Sequence, residues 1–138
     1  MYRLEEQNLQ KKFFQIYEGS TILKNEKIEE IIISEFAEAD LDEIAAYHYS
    51  RSPNYVERII SEFEENVESL QNHPKSGRIV PELERQGITK YRELIQEYYR
   101  IVYEISGNTI IVHTIIDGRR NFEEIIISKL SRYYGNKT

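Results

Sequence analysis

Apolar positions crowd the second half of the chain in strand-like runs. Tyr99 to Ile105 (YRIVYEI) and Thr109 to Ile116 (TIIVHTII) are dense in β-branched and aromatic residues, the composition of a pleated, largely buried strand. Ser106-Gly107-Asn108 separates them. A two-residue Gly107-Asn108 turn with positive φ matches the twist of its flanking strands, and it sets Ser106 opposite Thr109, Val102 opposite His113 and Arg100 opposite Ile115. Side chains alternate across a strand, so Ile101, Tyr103, Ile105, Ile110, Val112, Thr114 and Ile116 share one face, which should pack on helices. Arg100, Val102, Glu104, Ile111, His113 and Ile115 share the other. Mixed as it is, that face should be partly open to solvent or to a partner.

The flanking pattern completes the picture. Tyr91 opens a further strand, so Tyr91 to Ile127 reads as three antiparallel strands, a basic loop Asp117-Gly118-Arg119-Arg120-Asn121, and a helix marked by Phe122, Ile125, Ile126 and Leu130, with Tyr133-Tyr134 in a loose tail. Upstream, Ile28 to Ser34 (IEEIIIS) reads as a first strand joining the sheet at an edge. Ser34 can cap a helix over Glu35–Tyr49 by accepting a backbone N–H bond; its apolar stripe is Ala37, Leu41, Ile44, Ala45 and His48. Ser52-Pro53 marks the start of a second helix to about Gln71, with Val56, Ile59, Ile60, Phe63, Val67 and Leu70 at helical spacing. Arg78 to Glu84 should be an extended connector held by Pro81, and Gln86-Gly87 a turn. The fold class is therefore α+β, a helical hairpin packed on a small antiparallel sheet. Residues 1–27 form an N-terminal extension ahead of a domain spanning 28–138. Leu4, Leu9, Phe13, Phe14, Ile16 and Tyr17 give it an apolar side consistent with a helix.

Several short motifs lie in one order: Ala37-Glu38-Ala39-Asp40-Leu41-Asp42-Glu43-Ile44, Val80-Pro81-Glu82-Leu83, Tyr91-Arg92-Glu93-Leu94-Ile95, Tyr99-Arg100-Ile101-Val102-Tyr103 and Asp117-Gly118-Arg119-Arg120-Asn121. In this order and spacing they resemble the ParE/RelE superfamily, toxins of bacterial type II toxin–antitoxin pairs, over about Ile31 to Leu130. The resemblance implies a microbial RNase-like topology and a cognate antitoxin bound across sheet and helices. For the extension it leaves open a structural cover, a contact in a homodimer, or a cis-acting mimic of the antitoxin.

Composition narrows the chemistry. The 138 residues carry no cysteine, so there is no disulfide framework and no thiol chemistry, as a reducing cytoplasm would suit. No apolar run has the length of a membrane span, so the reading is a cytoplasmic protein with no membrane partner. The net charge of −6 is unevenly placed: residues 28–72 hold 2 Lys/Arg against 12 Asp/Glu, and residues 73–138 hold 11 against 8. A nucleic acid would have to meet the C-terminal half. Many toxins of the superfamily are basic, and this acidic chain departs from them.

Arginines are the candidate functional residues. Arg92, Arg100, Arg119 and Arg120 can each bind a phosphate or carboxylate through two N–H groups, and Arg119-Arg120 sit in a strand-to-helix loop near a helix N-terminus. Each also has a structural alternative, Arg100 pairing with Glu93 or Glu104 and Arg92 with Glu97. His113 could act as a general base or be hydrogen-bonded in place; His48 reads as a core histidine and His73 as a loop residue. No metal-ligand spacing, phosphate-cradling loop or nucleophile elbow is present, and no cofactor is implied.

RelE-like toxins cleave ribosome-bound mRNA with a Lys/Arg cluster and a base. The resemblance places Arg100 and Arg120 on two of those basic positions. The Lys-rich strand reads here as Arg92-Glu93-Leu94, and the catalytic tyrosine's position as Ile126. An RNase would therefore use Arg100, Arg119, Arg120 and His113 as its catalytic set. ParE-like toxins lack such a set and act by binding DNA gyrase. The sequence reading is thus a ParE-like gyrase-binding toxin whose partner-binding residues are Arg92, Arg100, Arg119 and Arg120. The alternatives are the ribosome-dependent endonuclease and a degenerate member that binds only its antitoxin or itself.

Overall fold

The computed structural model describes Tyr2–Arg3 and residues 27–135. A two-residue strand β1 (Tyr2–Arg3) is followed by β2 (Glu30–Ile33), helices α1 (Glu35–Tyr49) and α2 (Pro53–Glu68), a single 3-10 turn (Ser69–Gln71), β3 (Arg78–Ile79), a four-residue helix α3 (Pro81–Glu84), β4 (Tyr91–Gln96), β5 (Tyr99–Ser106), β6 (Thr109–Asp117) and α4 (Phe122–Gly135). The sheet order is β1-β2-β6-β5-β4-β3. The helix expected within the extension lies outside the described residues.

The expected helix starts are in place. Ser34 Oγ accepts from Ala37 N–H at 3.1 Å, and Ser52 Oγ accepts from Tyr55 N–H at 3.2 Å, with Pro53 in the first turn. Elsewhere the structure corrects the reading. The sheet is mixed, because β2 runs parallel to β6 (Glu30 opposite Thr109, Ile33 opposite Val112); the long connection such a pairing requires begins with α1 and α2 and returns through β3, α3, β4 and β5. Pro81 opens a short helix instead of holding an extended connector, as its fixed φ and missing N–H allow at a first turn. α4 continues to Gly135, so Tyr133 and Tyr134 belong to the helix and not to a tail.

The largest correction concerns the two faces of the sheet. Ser106 does oppose Thr109, but a β-bulge between Val102 and Tyr103 shifts the register, leaving Val102 opposite Thr114 and Arg100 opposite Ile116. One extra residue on β6 reverses side-chain parity beyond it. Ile115 therefore joins Ile101, Tyr103, Ile110 and Val112 in the core under α1 and α2, with Ile59, Phe63, Val67 and Leu70. Ile116 joins Val102 in a second core with Val80, Leu83, Tyr91, Phe122, Ile126 and Leu130. The face expected to be partly open is thus covered by α3 and α4. Two cores back to back explain why Tyr99 to Tyr103 are buried without interruption.

β2 stops at Ile33, leaving the far end of β6 without a strand on that side. Asp40 of α1 takes its place. The Asp40 carboxylate accepts from Ile115 N–H at 3.0 Å and from the Thr114 hydroxyl, and it pairs with Lys129 of α4. One side chain therefore joins the sheet, the hairpin and α4.

Candidate functional site

Arg100 is not a free cation. Its guanidinium donates to Glu93 (2.7 and 2.9 Å) and, through two N–H groups, to Glu82 (2.7 and 3.0 Å), and it lies 3.5 Å over the Phe122 ring. Glu93 is 1% exposed and also accepts from Arg78 at 2.7 Å. Buried carboxylates demand such compensation. Hydrogen bonds from Arg100 hold the Glu82 carboxyl below the ordinary carboxylate range. Of the two partners expected for Arg100, Glu93 is the one found. Glu104 instead lies with Oε1 2.8 Å from Nε2 of buried His113, whose ring meets Tyr91 edge-on at 5.5 Å. His113 is thereby held in place on the face covered by α3 and α4.

Arg92 donates to the Gly77 carbonyl at 2.7 Å, bracing the loop before β3. Its expected partner Glu97 is occupied by the Tyr55 hydroxyl at 2.8 Å. Burial, and next the Glu97 carboxylate, push the Tyr55 phenol up to about 12. His48 is a core residue as expected, its Nε2 3.0 Å from the Tyr99 hydroxyl.

Arg119 and Arg120 behave differently. They line a cleft of about 340 Å³ between α1 and α4, over Tyr99, Ile115, Ile44 and Ile125. Arg119 grips Asp117 with two N–H groups (3.1 and 2.9 Å) and stacks 3.6 Å over Tyr98, yet its side chain is 62% exposed. The Arg119 hydrogen bonds hold the Asp117 carboxyl below its usual value. The Arg120 side chain is exposed, with no hydrogen bond or ion pair among the described residues. Gly118 is needed where the loop turns: a Cβ there would stand 2.8 Å from Arg100 Cδ and 3.1 Å from the Tyr98 carbonyl.

The four candidate catalytic residues therefore do not converge. Arg119 and Arg120 meet at the cleft, whereas Arg100 and His113 do not line it. Sequence reasoning missed the tyrosines. Tyr98 supports Arg119, Tyr99 floors the cleft and Tyr47 walls it at 60% exposure. The Tyr98-Tyr99 dipeptide at a hairpin turn was the available signal. Among the described residues, no group of three His, Asp or Glu could hold a metal ion, and no helix is long and apolar enough to cross a membrane.

The family profile described as "ParE toxin of type II toxin-antitoxin system, parDE" matches residues 31–122. The chain belongs to the ParE toxin family. The match spans the sheet from β2 onward, the hairpin and the arginine loop, and ends at the first residue of α4. No curated protein sequence matches this ParE-family chain. Among solved structures, a chain from "Chromosomal ParDE TA system from P. aeruginosa" aligns with a TM-score of 0.51 at 21% identity, covering 63% of this chain and 92% of that one; at that identity the likeness shows the fold. A chain of the RelBE2 toxin–antitoxin complex from Mycobacterium tuberculosis aligns at 16% identity, covering 63% and 87%, with a TM-score of 0.42.

Proposed function

We infer that this ParE-family toxin acts by binding DNA gyrase rather than by cutting RNA, and that a cognate antitoxin neutralises it. The observation that carries the reading is the state of Arg100. A group that stabilises developing charge must be aimed at the reacting atoms, but this guanidinium is spent on Glu93 and Glu82 under Phe122. Ile126, at the position of the missing tyrosine, is fully buried in the second core. His113 is engaged by Glu104 away from the cleft. The chain thus has an arginine-lined cleft without an assembled acid–base set, which supports binding over catalysis.

The test is expression of the full chain in a bacterium lacking the antitoxin gene, paired with purified gyrase. Growth arrest with a DNA-damage response, and loss of supercoiling in vitro, support the reading. Arrest with rapid mRNA loss, abolished by Arg120→Ala with His113→Ala, refutes it in favour of the endonuclease. A soluble chain that neither arrests growth nor affects gyrase points to a member that only binds its antitoxin or itself.

A further inference from the structure

A second concavity, of about 630 Å³, lies between the loop 72–77 and the β5–β6 turn. It stands at the end of the sheet opposite the arginine loop, since β5 and β6 pair from Ser106–Thr109 at the turn to Tyr99–Asp117 at the other end. Asn72, His73, Lys75 and Ser76 give it polar groups. Ile28, Pro74 and Ile105 give it an apolar wall, and Gly107 closes the rim.

The loop is braced through its main chain. The buried Tyr103 hydroxyl donates to the Pro74 carbonyl at 2.7 Å and accepts from the Gly77 N–H at 3.0 Å. Arg92 donates to the Gly77 carbonyl at 2.7 Å, and the Ser76 N–H donates to the His73 carbonyl at 3.1 Å. The side chains of Asn72, His73, Lys75 and Ser76 are left over: all four residues are exposed, and none of these side chains makes a hydrogen bond or ion pair among the described residues. Uncommitted polar groups on a fixed loop, set against an apolar wall, are the make-up of a small-ligand site, whose usual volume is about 300–1,000 Å³. Preorganisation of the loop lowers the ordering cost of binding.

Charge selects the ligand. Among the described lining residues, Lys75 and His73 can carry positive charge and none can carry negative charge. Of the neighbouring acids, Glu104 is engaged by His113 and Glu29 is not part of the lining. We propose that this concavity binds a small aromatic anion, its phosphate or carboxylate on Lys75, His73 and Ser76 and its ring against Ile28, Pro74 and Ile105. A ring buries a large apolar area at little conformational cost. The site shares no lining residue with the arginine cleft, so failure of the gyrase reading would leave it standing.

The test is a nuclear magnetic resonance titration of the full, nitrogen-15-labelled chain with four probes. Phenyl phosphate and benzoate carry the two head groups, benzylamine carries a cation on the same ring, and inorganic phosphate has no ring. Phenyl phosphate or benzoate should give saturable shifts at the amides of Ile28, Lys75, Ser76, Ile105 and Gly107, and the tighter of the two names the head group. Lys75→Glu should weaken that probe about tenfold with unchanged circular dichroism. Arg85→Glu, an exposed arginine outside the lining, should leave it within about twofold. Absence of saturation by both ringed anions, shifts that map elsewhere, or benzylamine binding as tightly overturns the proposal. So does inorganic phosphate binding as tightly, or a Lys75→Glu chain that binds like the wild type.

Discussion

Replacing Arg100 by methionine separates a structural arginine from a functional one. The side chain fills similar length, but four charge-assisted hydrogen bonds disappear. Glu82, partly exposed, can turn to water. Glu93 cannot: its side chain has no exposure and would keep a single cationic partner, Arg78. Breaking a buried ion pair from one side costs about 3–5 kcal/mol, whereas removing both charges costs far less. Arg100→Met should therefore lower stability by about 3–5 kcal/mol, or about 10–20 °C in Tm for a domain of this size. Arg100→Met with Glu93→Met should recover most of it, leaving a deficit of about 1–2 kcal/mol from the lost Arg78 contact and imperfect packing. Urea unfolding followed by circular dichroism measures both. A single variant within about 1 kcal/mol of the wild type, or a double variant whose deficit is the sum of the single ones, would refute this account and return Arg100 to the functional set.

Other expectations are equally direct. Stability contributed by the Glu82–Arg100 pair depends on a carboxyl lowered in the folded state; it is complete at neutral pH and lost as pH falls below the ordinary carboxylate range, so Glu82→Gln should flatten the acid limb of a stability–pH profile. Gly77→Ala should cost about 1–3 kcal/mol in urea unfolding, since a Cβ there would stand 2.5 Å from the Glu93 carbonyl and 2.7 Å from the Tyr103 hydroxyl. Tyr55 should ionise near 12, within the late phase of an ultraviolet titration that it shares with the buried Tyr99 and Tyr103, so Tyr55→Phe should reduce the amplitude of that phase by one tyrosine. Its phenol is raised in the folded state, so its contribution is complete below pH 10 and lost as pH climbs through 12. Ser52→Ala removes the α2 cap and should cost about 1 kcal/mol.

Local signals in this sequence were sound where a single residue decides the geometry. Ser34, Ser52-Pro53 and Gly107-Asn108 each specify a backbone state, and helix starts and hairpin followed from them. Parity along β6 was not legible. Thr109 to Ile116 carries isoleucine on both faces, so nothing in the alternation signals that one residue is extra. The swap of Ile115 and Ile116 hid the second core and made Arg100 look available. The parallel β2–β6 pairing was equally silent, since the register of two isoleucine-rich strands far apart in sequence leaves no local trace. Of the candidate site, the Asp117–Asn121 loop was readable as a motif. Its tyrosine supports come from α1 and from the β4–β5 turn, segments that only the fold brings beside it.

The Asp40 carboxylate carries a consequence for how this protein behaves at high concentration. Beyond Val112, β6 offers main-chain groups at a border that no neighbouring strand covers, and such borders recruit strands from other molecules. Here one carboxylate caps the Ile115 N–H, while Lys129 anchors it. Colloidal behaviour thus hangs on a helix residue far in sequence from the strand it shields: Asp40→Ala should favour fibrillar self-association through β6 before it abolishes folding.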